Sequence, residues 1–422
     1  MRFAEKVFTV LSLLLFSGAV LAVLRQTGNT ADAEGDPLFQ VIWFGIYGIT
    51  LCLLAVHWRG FTRIPKHIDI PVLLLTGVAI FSFFWSAAPP VTLRRGIALI
   101  GTNLFGIYMA TRYSPKEQLR LLAWTFGIGA LLSFLFGLVL PNLAIQGGLW
   151  RGVYVQKNSL GRMMTLGSLV FLLIAPSSHR YRWVLWVGFG LSVALILLSS
   201  SKTCLIVLLT LLILLPFYRA LRWRYTRSMP LYIIAIVLSA GFAIWFTSEA
   251  ETVLGAMGKS VTLSGRTQLW EAVFTMIQQQ PWLGYGYSAF WLGLQGYSAY
   301  VVEASWQATH AHNGLLDLWL DLGLLGVLVF ILSFLTSLVK AVAWVRHAQT
   351  LEDFWPLVYL TIMFLFNMTY STILTRNDIF WIIYVAINFW KPVQHYARAK
   401  LPLGTIANKV NKVNKEGWVK NV

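Results

Sequence analysis

Charged side chains are scarce in this chain, and acidic ones are scarcer still. Only 12% of the 422 residues are Asp, Glu, Lys or Arg, whereas 57% are hydrophobic. That charged share is about half of what an average soluble domain carries, so a soluble fold is excluded. The 33 Lys and Arg residues outnumber the 16 Asp and Glu residues. In a membrane protein such an excess reports topology before it reports nucleic-acid binding. We therefore predict an all-α, polytopic membrane protein with no nucleic-acid partner.

Cysteine is almost absent, and no cleavable signal peptide is evident. Cys52 and Cys204 both lie inside apolar runs, where cysteine behaves as a small hydrophobic residue, so neither a disulfide nor a thiolate metal site is indicated. The first apolar run, 7–24, is long enough to span a bilayer and lacks a small-residue cleavage site, so we expect it to remain as a span. The acidic residues after it, 32–36, favour a solvated loop over a metal site.

Long apolar runs recur along the chain. Twelve are long enough to cross a bilayer as helices: 7–24, 39–56, 70–85, 95–111, 119–141, 158–176, 183–201, 203–218, 230–247, 313–339, 357–371 and 378–396. If the N-terminus is cytoplasmic, the inside segments hold 23 of the 33 Lys and Arg residues. This is the positive-inside pattern, so both termini are predicted to be cytoplasmic.

These patterns divide the chain into four parts. N-terminal transmembrane helices occupy 1–247, one long periplasmic loop occupies 248–312, C-terminal transmembrane helices occupy 313–396, and a basic cytoplasmic tail occupies 397–422. Loops as long as the periplasmic one usually carry function. It contains an amphipathic helix that starts near Arg266 and ends before Pro281. The predicted apolar face of this helix is Leu269, Trp270, Val273, Phe274 and Ile277.

Two histidines stand where the periplasmic loop meets the next span. His310 and His312 precede Asn313, whose side chain can cap the helix that follows. A helix N-terminus carries partial positive charge, which favours a neutral imidazole that can accept a proton. Asp317 and Asp321 lie four residues apart on one face of this helix, where either could orient a histidine or an acceptor hydroxyl. The alternative is that the histidines simply anchor a helix end at the interface.

Several cations lie on the outer side, against the topological bias. They are Arg151, Lys157, Arg162, Lys202 and Arg266. A charge drawn into a span is costly unless it meets a partner or a ligand. We therefore predict that Arg151, Arg162, Lys202 and Arg266 converge on one outer cavity. Snorkelling to the interface is the alternative for Arg162, and a local ion pair is the alternative for Arg266.

Glycines alternate with aromatic rings in the segment 281–291, which includes Tyr285 and Trp291. Exposed aromatic faces suit stacking on sugar rings, but aromatic side chains are also common at the headgroup level of any membrane protein. Both interpretations remain open from the sequence.

Short motifs in these regions resemble those of the O-antigen ligase and Wzy-type polymerase superfamily, in particular its exopolysaccharide polymerase branch. The matching residues are Arg151-Gly152, Lys157-Asn158, Gly161-Arg162, Ser201-Lys202-Thr203, Gly265-Arg266-Thr267 with Trp270, the segment 281–286, and His312-Asn313-Gly314 with Leu316, Gly323 and Gly326. The resemblance covers roughly residues 85–345. Its most specific part is the pairing of Gly-Arg-Thr with His-Asn-Gly in one long outer loop.

The resemblance implies a GT-C-like, inverting, metal-independent glycosyltransferase of the bacterial inner membrane, with no cofactor and a periplasmic active site. Such an enzyme takes a glycan from undecaprenyl diphosphate and joins it to a hydroxyl of a glycan or lipid-linked acceptor, and a chain-length regulator is a further candidate partner. By the same resemblance His312 is the catalytic histidine and Arg266 a diphosphate-binding arginine. Lys202 stands where many members carry arginine. The remaining candidates for substrate binding are Arg151, Lys157, Asn158, Arg162, His310, Asp317, Tyr285 and Trp291.

Two other functions stay open. An O-antigen ligase would transfer the glycan to a lipid A core instead of to another repeat unit. A transporter or flippase is a more distant alternative, because twelve spans is a common transporter count. Against it, the sequence shows no repeated halves, and its ionisable residues gather at the outer mouth rather than at the membrane midplane.

Overall fold

The computed structural model describes residues 2–19, 37–56, 69–221, 266–305 and 308–390. These residues are mostly helical, as predicted. The helices are α1 (Arg2–Phe16), α2 (Pro37–Val56), α3 (Ile70–Phe81), α4 (Pro89–Arg112), α5 (Pro115–Val139), α6 (Pro141–Ala144), α7 (Lys157–Ile174), α8 (Arg182–Leu198), α9 (Lys202–Ala220), α10 (Arg266–Gln279), α11 (Ala299–Ala304), α12 (Gly314–Val345), α13 (Trp355–Asn367) and α14 (Ile379–Phe389). One short antiparallel hairpin pairs β1 (Ile145–Gln146) with β2 (Leu149–Trp150).

Five of the described helices are long and apolar enough to cross a membrane. They are α2, α5, α7 with the turn that extends it to Ser177, α9 and α12. Three shorter apolar helices accompany them, at Ile70–Phe84, Arg182–Leu198 and Ile379–Phe389. The protein is therefore a polytopic membrane protein. The count of twelve spans stays a prediction, because the span expected at 230–247 lies outside the described residues, as do the acidic loop at 32–36 and the basic tail.

Helix α7 forms the centre of the described bundle. It is the most buried of the five long apolar helices, with 78% of its apolar stretch inside the protein, and α5, α8 and α9 pack around it. Glycine makes the approach to α9 close, because a Cβ on Gly161 would lie only 2.8 Å from the sulfur of Cys204. The start of α7 is thereby held against the start of α9.

Helix α12 is interrupted at Gly323, a break that the sequence did not predict. The φ of 65° and ψ of −168° at this residue fall in a region that is essentially restricted to glycine. A Cβ there would lie 2.2 Å from the carbonyl carbon of Trp282. Residues 314–322 therefore form a helical segment of their own, and the candidate site lies at its N-terminus.

The aromatic and glycine segment 281–286 fills this break. Its backbone exchanges hydrogen bonds with both sides of the interruption, where helix groups would otherwise lack partners. Three of these bonds are Tyr285 N to Leu320 O at 2.8 Å, Gly286 N to Asp321 O at 2.9 Å and Leu324 N to Pro281 O at 2.8 Å. Gly284 has a φ of +64°, and a Cβ on it would lie 2.5 Å from the Leu320 oxygen. The alternating glycines thus serve close backbone packing.

Candidate active site

His312 immediately precedes the cap of α12. The Asn313 side chain accepts hydrogen bonds from the amides of Leu315 and Leu316 at 3.0 and 3.3 Å, which confirms the predicted cap. His312 itself has a φ of 54°, a left-handed conformation that is uncommon for residues other than glycine. The chain therefore turns sharply at His312 into a helix N-terminus, where aligned peptide dipoles contribute partial positive charge.

Ala311 anchors the histidine loop through both of its backbone polar groups. The Trp270 indole donates to the Ala311 carbonyl at 2.9 Å, and the Ala311 amide donates to Oδ1 of Asp317 at 2.9 Å. Asp317 also accepts from the Trp291 indole at 2.7 Å and from the Ser371 hydroxyl. Asp317, Trp291 and Trp270 thus position the loop that carries both histidines.

The rings of His310 and His312 contact each other on either side of Ala311 in the sequence. Their centroids are 3.9 Å apart and the ring planes are inclined by 37°. Both side chains are partly buried, and the Asp317 carboxylate is close enough to interact electrostatically with His312. An imidazole near a carboxylate can accept a proton, because the carboxylate stabilises the cation that forms.

Helix α10 packs beside the histidine loop on a small apolar core of its own. Its buried residues are Leu269, Ala272, Val273, Met276 and Ile277. Phe274, which was predicted to share the apolar face, is 45% exposed, whereas Met276 is buried. Arg266 is the first residue of α10, one helical turn before Trp270. The structure thus brings the start of this helix near His312, but the side-chain placement of Arg266 is not described.

The starts of α7 and α9 meet as a second group of predicted residues. The Ser201 hydroxyl donates to the Asn158 side-chain oxygen at 3.1 Å. Lys157 and Lys202 are the first residues of the two helices, and Lys202 is exposed. Asn158 therefore links the two helix starts, and both lysines lie beside that link in the chain. Their roles in substrate binding stay predictions.

Arg162 connects α7 with the segment that follows α13. Its guanidinium carbon lies 4.7 Å from the centre of the Tyr370 ring and 5.7 Å from that of Phe380, both within the range of cation–π attraction. In the part of the chain that the structure describes, Nε of Arg162 is buried and has no hydrogen-bond partner. A buried donor of this kind is expensive unless something binds it, so the geometry keeps Arg162 a candidate ligand for substrate.

Arg151 is held differently. It follows β2 and donates from Nε to the Leu143 carbonyl at 2.9 Å and from Nη1 to the Val155 carbonyl at 3.4 Å. Its guanidinium thus braces the loop around the β1–β2 hairpin. The structure does not bring it into contact with Arg162, and its predicted role as a substrate ligand stays untested.

The two predicted aromatic ligands are built into the protein. Tyr285 is buried and donates from its hydroxyl to the Met276 carbonyl at 2.9 Å. Burial raises the pKa of Tyr285 to about 12, so this hydroxyl stays protonated near neutral pH. Trp291 is partly buried and donates to Asp317. Trp282, in contrast, is 69% exposed and is the better placed of these rings for stacking.

Five residues near the site escaped the sequence interpretation: Arg95, Ser288, Tyr370, Ser371 and Arg376. Arg95 and Arg376 belong to the ten Lys and Arg residues that fall outside the predicted cytoplasmic segments, which was the signal available. Ser288, Tyr370 and Ser371 carry no motif, so only the fold reveals their contacts.

Backbone strain is concentrated in the same segments. Among the described residues, five non-glycine positions have positive φ: Ser200, Ser288, His312, Leu374 and Asn377. Ser200 is two residues from Lys202, and Leu374 and Asn377 are within two residues of Arg376. Ser288 accepts a hydrogen bond from Arg376. Strained backbone is costly and tends to persist at functional sites.

The described residues contain no cluster of three or more His, Cys, Asp or Glu side chains that could hold a metal ion.

Residues 187–331 match the sequence model of the O-antigen ligase family. In this region the chain is similar to O-antigen ligases. The matched region includes Lys202, Arg266 and His312, and the resemblance inferred from short motifs is thereby confirmed.

Two relatives extend the comparison to more of the chain. It is 27% identical over 315 residues to the exopolysaccharide production protein ExoQ of Rhizobium meliloti, with 71% of each chain covered. It is also 26% identical over 220 residues to a general O-oligosaccharyltransferase of Acinetobacter baylyi, a match that covers 47% of this chain and 36% of that protein. The larger match is therefore to a protein named for exopolysaccharide production, and the smaller one is to a protein named for oligosaccharide transfer.

Proposed function

We propose that this protein is an inverting, metal-independent glycosyltransferase that joins undecaprenyl-diphosphate-linked glycan units into an exopolysaccharide or O-antigen. The observation that carries the proposal is the anchored Ala311, which fixes His312 at a helix N-terminus between Asp317 and the helix that Arg266 begins. A single displacement at a sugar carbon needs a positioned base and stabilisation of the leaving diphosphate, and these residues are suited to both tasks.

In the proposed reaction His312 takes the proton of the acceptor hydroxyl as its oxygen attacks the anomeric carbon of the donor sugar. A new carbon–oxygen bond forms on the face opposite the leaving group, and the bond from that carbon to the lipid diphosphate breaks with its electron pair going to the diphosphate. Asp317 stabilises the His312 cation, with which it already interacts. The proton leaves His312 to solvent before the next cycle.

Stabilisation of the departing diphosphate is assigned to Arg162, Lys202 and Arg266. Fixed cations supply it without a metal ion, and arginine offers a planar set of donors that matches phosphate oxygens. The buried Nε of Arg162 is one donor that such a ligand would satisfy. Lys202 provides the charge but not the planar fork of an arginine.

An apolar groove is suited to the polyprenyl chain of the donor. It has a volume of about 230 Å³ and runs between α12 and α13, lined mainly by hydrophobic side chains. Leu315, three residues from His312, is part of the lining, and Phe330, Ile331, Phe334 and Leu335 line the groove farther along α12. The lipid would thus extend from the site along an apolar helix face.

An O-antigen ligase is the second candidate, because the family model describes ligases and one relative is named an oligosaccharyltransferase. Exopolysaccharide polymerase is preferred because the match to ExoQ spans more of both chains. The deciding experiment gives purified protein in proteoliposomes its lipid-linked repeat unit, with and without a lipid A core acceptor, and sizes the products. Elongation from repeat units alone supports the polymerase. Capping of the core without elongation supports the ligase, and movement of glycan without joining supports a transporter.

The proposal also places the active site on the periplasmic side of the inner membrane, with both termini cytoplasmic. This orientation rests on the distribution of Lys and Arg. It is tested by labelling an engineered cysteine at position 295 with a membrane-impermeant thiol reagent, after replacing the exposed Cys52. Labelling from the periplasm is expected. Labelling from the cytoplasm alone would reverse the topology.

A further inference from the structure

Two further arginines, Arg95 and Arg376, contact Ser288 beside the segment that fills the α12 break. Arg95 on α4 donates from Nη1 to the Ser288 carbonyl at 2.5 Å. Arg376, between α13 and α14, donates from Nη1 to the Ser288 hydroxyl at 3.2 Å. Both side chains are partly buried. Two guanidinium groups from distant parts of the sequence are thus held against one residue.

The backbone around this pair is held in an unusual conformation. Ser288 has a φ of 56°, and on the segment that carries Arg376, Leu374 and Asn377 have φ values of 56° and 53°. The Tyr287 hydroxyl donates to the Leu374 carbonyl at 2.7 Å and locks the two segments together. Strain of this kind persists where surrounding structure enforces it, often at ligand-binding positions.

The carboxyl group of Asp321 lies near Arg95. Asp321 accepts a hydrogen bond from the Ser288 amide and interacts electrostatically with Arg95. Because the two guanidinium groups outnumber this carboxyl group, the three side chains together are positively charged, which suits an anionic ligand. Asp321 also interacts with Asp317, which in turn interacts with His312. Arg95 is therefore connected to the histidine site through two acidic residues on one helix segment.

We infer that Arg95 and Arg376 bind the diphosphate of a lipid-linked acceptor. The inference rests on the proposed polymerase function, in which donor and acceptor are both carried on a lipid diphosphate and both must be held during one transfer. Arg162, Lys202 and Arg266 serve the donor, so the acceptor needs a second set of cations. Guanidinium groups suit this task because they bind phosphate oxygens through paired hydrogen bonds.

The test separates the two substrates chemically. A donor repeat unit is methylated at its acceptor hydroxyl so that it can only donate. Full-length protein in proteoliposomes then receives this donor with one of two acceptors: the repeat unit on polyprenyl diphosphate, or the same unit as a glycoside of the polyprenyl alcohol without phosphate. For wild type, the KM for the diphosphate acceptor should be about 10- to 100-fold lower than the KM for the phosphate-free acceptor. This is the range expected for charged hydrogen bonds.

Arg95→Gln and Arg376→Gln should each raise the KM for the diphosphate acceptor toward that of the phosphate-free acceptor while the KM for the blocked donor is retained. Arg94→Gln is the matched control, since Arg94 is the exposed neighbour of Arg95 on α4, and it should keep the wild-type preference.

Each outcome bears on a different proposal. If wild type joins the blocked donor to neither acceptor, the proposed function is wrong. If it joins the donor to both acceptors with equal KM, or if the glutamine variants raise the KM for the donor instead, the acceptor site is overturned. Should the variants fail to fold, the comparison of the two acceptors in wild type still decides whether the diphosphate of the acceptor is recognised.

Discussion

Arg162 lies over the Tyr370 ring, 4.7 Å from its centre, and the next residue along the chain, Ser371, donates its hydroxyl to Asp317. One dipeptide therefore contacts both the candidate diphosphate ligand on α7 and the carboxylate that anchors the histidine loop on α12. A displacement at Arg162 therefore has a short structural route to the proposed site of proton transfer.

This arrangement predicts that Arg162 and Lys202 respond differently to exchange of the cation. Arg162→Lys keeps the charge but loses the planar group that stacks on Tyr370, an interaction of about 0.5–2 kcal/mol, so turnover should fall. Lys202→Arg should retain substantial activity, because a diphosphate accepts either cation. Initial rates of both variants with the same purified donor check this. Equal activity of Arg162→Lys and wild type would remove the stacked guanidinium from the proposed role.

Replacement of the two histidines should have unequal effects. His312→Ala should lose about 10²- to 10⁴-fold in turnover, the usual contribution of a positioned base, while insertion and donor binding persist. His310→Ala should retain most activity, although the two rings lie 3.9 Å apart. Turnover of both variants across pH 5.5 to 8.5 is the measurement. A larger loss at His310, or no loss at His312, would reassign the base.

Trp270→Phe should slow the reaction without unfolding the protein. The ring is kept, but the Ala311 carbonyl loses its 2.9 Å donor, and an unsatisfied buried acceptor costs about 1–3 kcal/mol. The loop that holds His312 should therefore be less well positioned, which lowers kcat. Trp124→Phe is the control, because Trp124 is 68% exposed and should tolerate the change. If the two variants match in kcat, the indole bond does not position the loop.

Gly323→Ala should destabilise the protein. The backbone conformation alone costs an alanine about 1–3 kcal/mol, and its Cβ would overlap the Trp282 carbonyl. Gly190→Ala on α8 is the control: no atom lies within 4 Å of its Cβ position, and alanine in a helix gains about 0.5–1 kcal/mol over glycine. Thermal unfolding in detergent compares the two. An unchanged midpoint for Gly323→Ala would contradict the enforced break.

Arg376→Lys should make activity sensitive to alkaline pH. Burial lowers the pKa of Arg376 to about 10, so the wild-type side chain stays charged up to pH 8.5. The same burial would lower the pKa of a lysine below its ordinary value of about 10.4. The variant should therefore lose more of its positive charge than wild type as the pH rises toward 8.5, so its rate at pH 8.5 relative to pH 6.5 should fall below the wild-type ratio. Parallel profiles would contradict a role for this charge.

Several features of the protein were readable from the sequence because they depend on near neighbours in the chain. Apolar runs determined where the described spans form, and Asn313 was identified as a cap because its partners are only two and three residues away. The short motifs were sufficient for the family, which the match over 187–331 confirms. Helical periodicity identified an apolar face of α10, of which Leu269, Val273 and Ile277 are buried in the protein and Phe274 is exposed.

Only the tertiary structure decided how the site is assembled. Trp270 and Ala311 are 41 residues apart, Asp317 and Ser371 are 54 apart, and Arg95 and Ser288 are 193 apart. No local pattern encodes such pairs, because each depends on how several helices pack. The break at Gly323 is similar: a glycine in an apolar helix predicts nothing by itself, and it becomes an interruption because segment 281–286 supplies the hydrogen bonds that the helix gives up there.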